Sequence, residues 1–126
     1  MTRVLLIDDD DGLRDVFEII MRREGFDVAS AEDGLKGLAK AAVFRPHLIV
    51  VDLMMPNLNG FDVIHRLQQG DLSEVPVIVM TGYSDSANES LVRREPNVVD
   101  FVPKPFDYVT LAEKVRGFLV AHAVKA

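Results

Sequence analysis

Short, wholly apolar runs alternate along the chain with longer stretches in which apolar residues recur every three or four positions. The clearest runs are Val4-Leu5-Leu6-Ile7, Leu48-Ile49-Val50-Val51 and Val77-Ile78-Val79-Met80, with weaker ones at 26–30 and 98–102. Brief apolar runs bounded by polar residues are the mark of strands buried on both faces. The stretches between them have a helical period. Leu13, Val16, Phe17 and Ile20 make one inward stripe, and Leu35, Leu38, Ala39, Ala42 and Val43 a second. Phe61, Ile64 and Leu67 make a third, and Leu111, Val115, Phe118, Leu119 and His122 the last. A fourth helix, at 85–94, offers Ala87, Leu91 and Val92, so its packing is expected to be the weakest. Glu18 and Arg22 are spaced to pair on the wet side of the first helix. Gly25 and Pro46 should end the first two helices, and Asp107 should cap the last.

Strands separated by helices of this length predict a parallel sheet covered on both faces, with right-handed crossovers. The expected class is a doubly wound α/β fold, with residues 1–126 forming a single domain. No linker, repeat or low-complexity segment interrupts it. All strands of such a sheet end on one edge, where ligands bind. The residues just past the apolar runs therefore form a set: Asp8 and Asp9, Asp52, Thr81 and Lys104.

Composition narrows the chemistry. The chain has no cysteine, so thiol catalysis, disulfides and cysteine-ligated zinc are excluded. Its net charge of −6 argues against a surface that coats nucleic acid. No apolar run approaches the ~20 residues of a membrane span, and the short N-terminal run is too brief for a signal core. A cytoplasmic location is therefore expected. Carboxylates with no histidine or cysteine beside them favour Mg²⁺. Lysine and threonine suit a phosphoryl group. The edge residues thus point to phosphoryl transfer, with Asp52, alone beside the turn MMPNLNG, able to act as a nucleophile.

With those residues in view, the sequence resembles the receiver domain of two-component response regulators, in its single-domain, chemotaxis-regulator-like form. The matching pieces are IDDDDGLR, VVDLMMPNLNG, VIVMTGYSD and DFVPKPF, in order over essentially the whole chain. The resemblance implies a flavodoxin-like five-stranded sheet of order 2-1-3-4-5. It implies Asp52 as phosphoacceptor, and a Mg²⁺ site made by Asp9, Asp52, the Met54 carbonyl and, largely through water, Asp8. It further implies that Thr81 and Lys104 engage the phosphoryl group, that Phe101 swings inward when Thr81 moves, and that Lys104-Pro105 is a cis bond. The implied partners are a sensor histidine kinase or histidine phosphotransfer protein, and a downstream protein target or an output domain missing from this chain. Neither nucleic acid nor a membrane is an expected direct partner. The implied activity is that of a phosphoacceptor with intrinsic autophosphorylation and autodephosphorylation, not an enzyme with its own substrate.

Some positions depart from the common pattern. Asn59 stands before Gly60 where aspartate is frequent, Gly82 follows Thr81 in place of alanine, and Pro96-Asn97 precedes the fifth strand. Asn97 is expected to adopt the left-handed conformation at a helix end. Met54 and Tyr83 lie where the family tunes phosphate lifetime. Asp10 and Asp11 read as ordinary first-turn helix acids, and His47, His65 and His122 as structural. Met54 and Met55 read as loop packing apart from the Met54 carbonyl. The rival readings are a receiver acting by interaction alone, an aspartyl-phosphate hydrolase and a flavodoxin-like cofactor binder. The hydrolase would need a cap for which the chain has no residues, and the cofactor binder a phosphate loop that IDDDD opposes.

Overall fold

Successive strand residues face opposite sides of the sheet, and here both sides are covered. In the first strand Val4 and Leu6 join one core while Leu5 and Ile7 join the other. The computed structural model describes residues 2–55, 58–82, 86–104 and 107–125, without the side chains of 86–89 and 120–125. Its elements are β1 Arg3–Ile7, α1 Asp11–Arg23, β2 Asp27–Ala31, α2 Gly34–Phe44, β3 Leu48–Asp52, α3 Gly60–Gln68, β4 Val77–Thr81, α4 Ser86–Arg93, β5 Val98–Pro103 and α5 Tyr108–Lys125. The five strands pair in parallel in the order β2-β1-β3-β4-β5. Phe17, Met21, Leu111 and Val115 of α1 and α5 pack on one face. Ala41, Val63, Ile64, Leu67 and Val92 of α2, α3 and α4 pack on the other. Among the described residues, no helix is long and apolar enough to cross a membrane.

Gly25 and Asp107 cap their helices as predicted. Gly25 takes a φ of 93°, and the amides of Gly25 and Phe26 turn back to the carbonyls of Arg22 and Met21. That pair of hydrogen bonds closes the last turn of α1, and β2 starts at Asp27, one residue later than expected. Asp107 accepts from the Val109 amide at 3.0 Å, as a cap of α5 should. Glu18 and Arg22 pair at 3.6 Å. His47 accepts from the Arg3 amide through Nδ1 at 2.9 Å, and burial, with the charge of Arg3, holds it below the ordinary histidine range.

Helix α2 buries a different face from the one its apolar spacing suggests, whereas α1 departs from its expected stripe only at Val16, with Leu13 and Ile20 half-buried. In α1, Phe17 and Met21 set the buried line, and Val16, about 100° round the helix from Phe17, is exposed. In α2 the inward residues are the small ones, Gly34, Gly37 and Ala41, flanked by half-buried Leu38 and Phe44. Leu35, Ala39, Ala42 and Val43 face solvent, Val43 at 85% exposure. Close approach explains it. A Cβ on Gly37 would lie 2.5 Å from Ile7 Cδ1 and one on Gly34 2.5 Å from the Leu58 carbonyl, so glycine lets α2 sit this near β1 at one point and this near the chain leading into α3 at the other.

Helix α4 ends at Arg93, and Asn97 is not left-handed; the left-handed non-glycine among the described residues is Arg45, capping α2 at φ 56°. Asn97 is instead buried, donating to the Ile64 carbonyl and accepting from Gln68, which also bonds Glu95. His65 meets the same Glu95 at 2.6 Å. Tyr83, Asp85 and the Lys104-Pro105 bond lie outside the described residues, as does the side chain of His122.

Substituting Gly37→Ala should destabilise the fold by about 1–2 kcal/mol, because overpacking against Ile7 exceeds the ~1 kcal/mol gained in helix propensity. In an Ile7→Ala background the same change should become stabilising. Urea unfolding of the four proteins measures both effects.

Candidate functional site

Each strand delivers its polar residue to the same edge because the strands run parallel in near-even register: Ile7 lies beside Val51, Asp52 beside Met80 and Thr81 beside Pro103. One extra residue, Val99, enters β5 between the pairs Val77–Val98 and Ile78–Asp100. Past that bulge the Lys104 amide donates to the Thr81 carbonyl at 2.7 Å, which ties the lysine to the end of β4.

Lys104 then reaches across the edge. Its Nζ donates to Asp8 Oδ2 at 2.8 Å and to Asp52 Oδ2 at 3.1 Å. Asp8 is fully buried and Asp52 nearly so, at 5% exposure. The other oxygen of Asp8 accepts from the Asp10 amide at 2.8 Å, and that of Asp52 from the Met54 amide at 3.2 Å. Burial pushes the Asp52 carboxyl above its ordinary range; the Asp8 charge adds to this, and Lys104 and the Met54 amide oppose it. Burial alone would lower the Lys104 ammonium, yet the pull of Asp8 and Asp52 carries it above its usual value.

Asp9 completes the group from the solvent side. One oxygen from each of Asp8, Asp9 and Asp52 lies within 4.8 Å of the others. The three carboxylates, set against one ammonium, leave two negative charges unbalanced. An oxygen-only donor set carrying that charge, open on the Asp9 side, fits a hard dication such as Mg²⁺.

The edge thus brings together Asp8, Asp9, Asp52 and Lys104, with the Met54 backbone bound to Asp52 and Thr81 at the half-buried end of β4. Phe101 lies elsewhere. It is buried in the α3–α4 core with Val79 and Val92, and the Arg93 guanidinium lies 4.7 Å from its ring centre. Met55 packs into that core as expected, whereas the Met54 side chain is exposed. Asp10 caps α1 by accepting from the Leu13 amide, and Asp11 sits in its first turn. Asn59 caps α3 by accepting from the Asp62 amide. Gly60 is required beside it, since a Cβ there would lie 2.6 Å from the Asp52 carbonyl. Two residues near the site were not anticipated: Arg14, bonded to the Asp8 carbonyl, and Tyr108, whose hydroxyl is pushed up by burial and by the charges of Asp10 and Asp8.

Residues 4–116 match the family model of the response regulator receiver domain. The DNA-binding dual master transcriptional regulator RpaA of Synechocystis is 35% identical over 120 residues, 94% of this chain and 49% of that protein. The DNA-binding response regulator MtrA of Mycolicibacterium smegmatis is 38% identical over 93% of this chain and 50% of its own length. The chain therefore spans about half the length of these curated relatives. Among solved structures, chemotaxis protein CheY4 of Vibrio cholerae superposes with a TM-score of 0.85 at 26% identity, covering 92% of this chain and 97% of its own. A CheY-like receiver domain protein from Methanospirillum hungatei reaches 0.92 over 100% and 99% of the two chains, at 24% identity, and bears on the fold alone.

Removing the bridging ammonium by Lys104→Met should cost about 3–5 kcal/mol at neutral pH, because it strands two buried carboxylates. The loss should shrink in mild acid: an orphaned carboxyl has a raised folded pKa, so stability returns as it takes up a proton. Asp9→Ala should instead raise the melting temperature of the metal-free protein, since it removes one of the unbalanced charges. Thermal melts at two pH values check all three statements.

Proposed function

The chain belongs to the response regulator receiver domains, and on that premise we propose that it is a phosphorylation switch whose acceptor is Asp52. The observation that carries the reading is the Lys104 bridge between buried Asp8 and Asp52, with Asp9 open to solvent beside them. A phosphohistidine on a sensor histidine kinase or phosphotransfer protein is the donor. An Asp52 carboxylate oxygen attacks phosphorus, the phosphorus–nitrogen bond breaks, and an acyl phosphate forms as the histidine leaves. Bound Mg²⁺, held by Asp9, Asp52 and the Met54 carbonyl with Asp8 behind it, would neutralise charge on the phosphoryl oxygens. Lys104 is already placed to exchange one carboxylate partner for the arriving group, and the Thr81 hydroxyl is the second protein donor to it. Accepting and losing the group on its own residue is the whole of its catalysis.

The signal leaves through the face formed by α4, β5 and α5. Among the described residues of α4, Val92 alone is buried, while Leu91 is half exposed. A helix so lightly anchored belongs to the low-stability end of the fold and can be repositioned at little cost. Phe101, under Arg93, joins that helix to β5 and is the residue through which movement at Thr81 would be felt. The recipient is a downstream protein or an output domain of the kind that completes the longer relatives, and the setting is the cytoplasm. A receiver acting without phosphorylation would have no need of the assembled acids and lysine.

Incubation with acetyl phosphate and Mg²⁺ should add one phosphoryl group, seen by intact mass. The addition should be lost without divalent cation, in Asp9→Ala, and in Asp52→Asn. An unmodified wild type, or equal labelling of Asp52→Asn, would sink the assignment.

A further inference from the structure

Arg14 lies on the first turn of α1, yet its side chain is only 14% exposed. The reason is where its guanidinium goes. Nη1 donates to the backbone carbonyl of Asp8 at 2.7 Å, and Nη2 pairs with the Asp11 carboxylate. The ion pair alone explains little, since Asp11 is 85% exposed and such surface pairs contribute a few tenths of a kcal/mol. The carbonyl contact is different in kind. It holds the peptide that joins Asp8 to Asp9, and so fixes the direction in which the Asp9 side chain leaves the backbone.

The rest of Asp8 is held just as firmly. Its amide donates to the Ala31 carbonyl at 3.1 Å, one carboxylate oxygen accepts from the Asp10 amide, and the other from Lys104. Arg14 engages the remaining polar atom of that residue. Asp9, by contrast, is exposed, so its aim depends on the backbone that carries it. A planar fork held on one side by Asp11, at the start of α1, presents its other donor to the Asp8 carbonyl in fixed geometry; an ammonium on a flexible stem does not.

We propose that Arg14 is a positioning residue for the phosphoacceptor reaction, holding the Asp8–Asp9 peptide so that the Asp9 carboxylate faces the position it shares with Asp8 and Asp52. The inference rests on the Mg²⁺-dependent reading above. It makes a claim opposite in sign to plain electrostatics. Removing a cation beside a dication site should tighten binding if charge were all that mattered. Loss of aim should weaken it.

The test is a titration of the full chain with Mg²⁺ alone, following the backbone amide signals of residues 9, 52 and 54, with urea unfolding in parallel. Arg14→Met should weaken Mg²⁺ binding about tenfold, the lower end of what removal of such supporting groups costs. Arg14→Lys keeps the charge but cannot span both acceptors, and should lose nearly as much. If Arg14→Met binds Mg²⁺ as tightly as the wild type, or if Arg14→Lys restores full affinity, the proposal is overturned. Should Arg14→Met not fold, the lysine variant decides alone by the same criterion. A wild type without saturable Mg²⁺ binding would show that the metal reading itself has failed, and the positioning role with it.

Discussion

The bridge from Lys104 to Asp8 and Asp52 is the interaction around which the carboxyl edge is organised. Two carboxylates about 4 Å apart repel by roughly 4 kcal/mol at an effective dielectric of about 20, and burial worsens the balance. An ammonium between them makes the arrangement tolerable. The lysine reaches that point from 96 and 52 residues away, so the pair is affordable only once the sheet has formed. In the proposed function stability and chemistry share one contact: the group that keeps the acids buried is also the one that would meet an incoming phosphoryl.

That contact depends on the layers around it. Two apolar cores hold the sheet from both sides, and α2 comes close through Gly34 and Gly37. At the far end of the molecule Asn97, Gln68 and Glu95 fasten α3 to the chain leading into β5. The bulge at Val99 then sets the register that delivers Lys104 beside Thr81. The anchored half of the domain thus sits beside an α4 held among its described residues by Val92.

Much of this was legible beforehand. Continuous apolar strands announce a parallel sheet, and a parallel sheet brings its strand-end residues together, so Asp8, Asp9, Asp52, Thr81 and Lys104 could be grouped without coordinates. The strand order came from resemblance to receiver domains and agrees with the structure. The rest is set by contacts that no stripe of apolar side chains displays. Leu35 and Val43 are more hydrophobic than Gly37 and Ala41, but close packing rewards small size, which a stripe of large residues hides. Asn97 was expected to serve through its backbone and serves through its side chain. Arg14 stood within the stretch IDDDDGLR, but its partner is a carbonyl, and no side-chain pattern reveals which carbonyl a guanidinium will find. The run of aspartates is offset by Lys104, which meets Asp8, and by Arg14, which meets Asp11.

The proposed chemistry occurs on Asp52 and on no other acid of the cluster. Borohydride reduces an acyl phosphate to the alcohol, which converts the modified aspartate to homoserine and leaves free carboxylates untouched. After treatment with acetyl phosphate and Mg²⁺, reduction and peptide mass mapping should place homoserine at position 52. Homoserine at position 8 or 9, or a phosphorylated chain that yields none, would contradict the account.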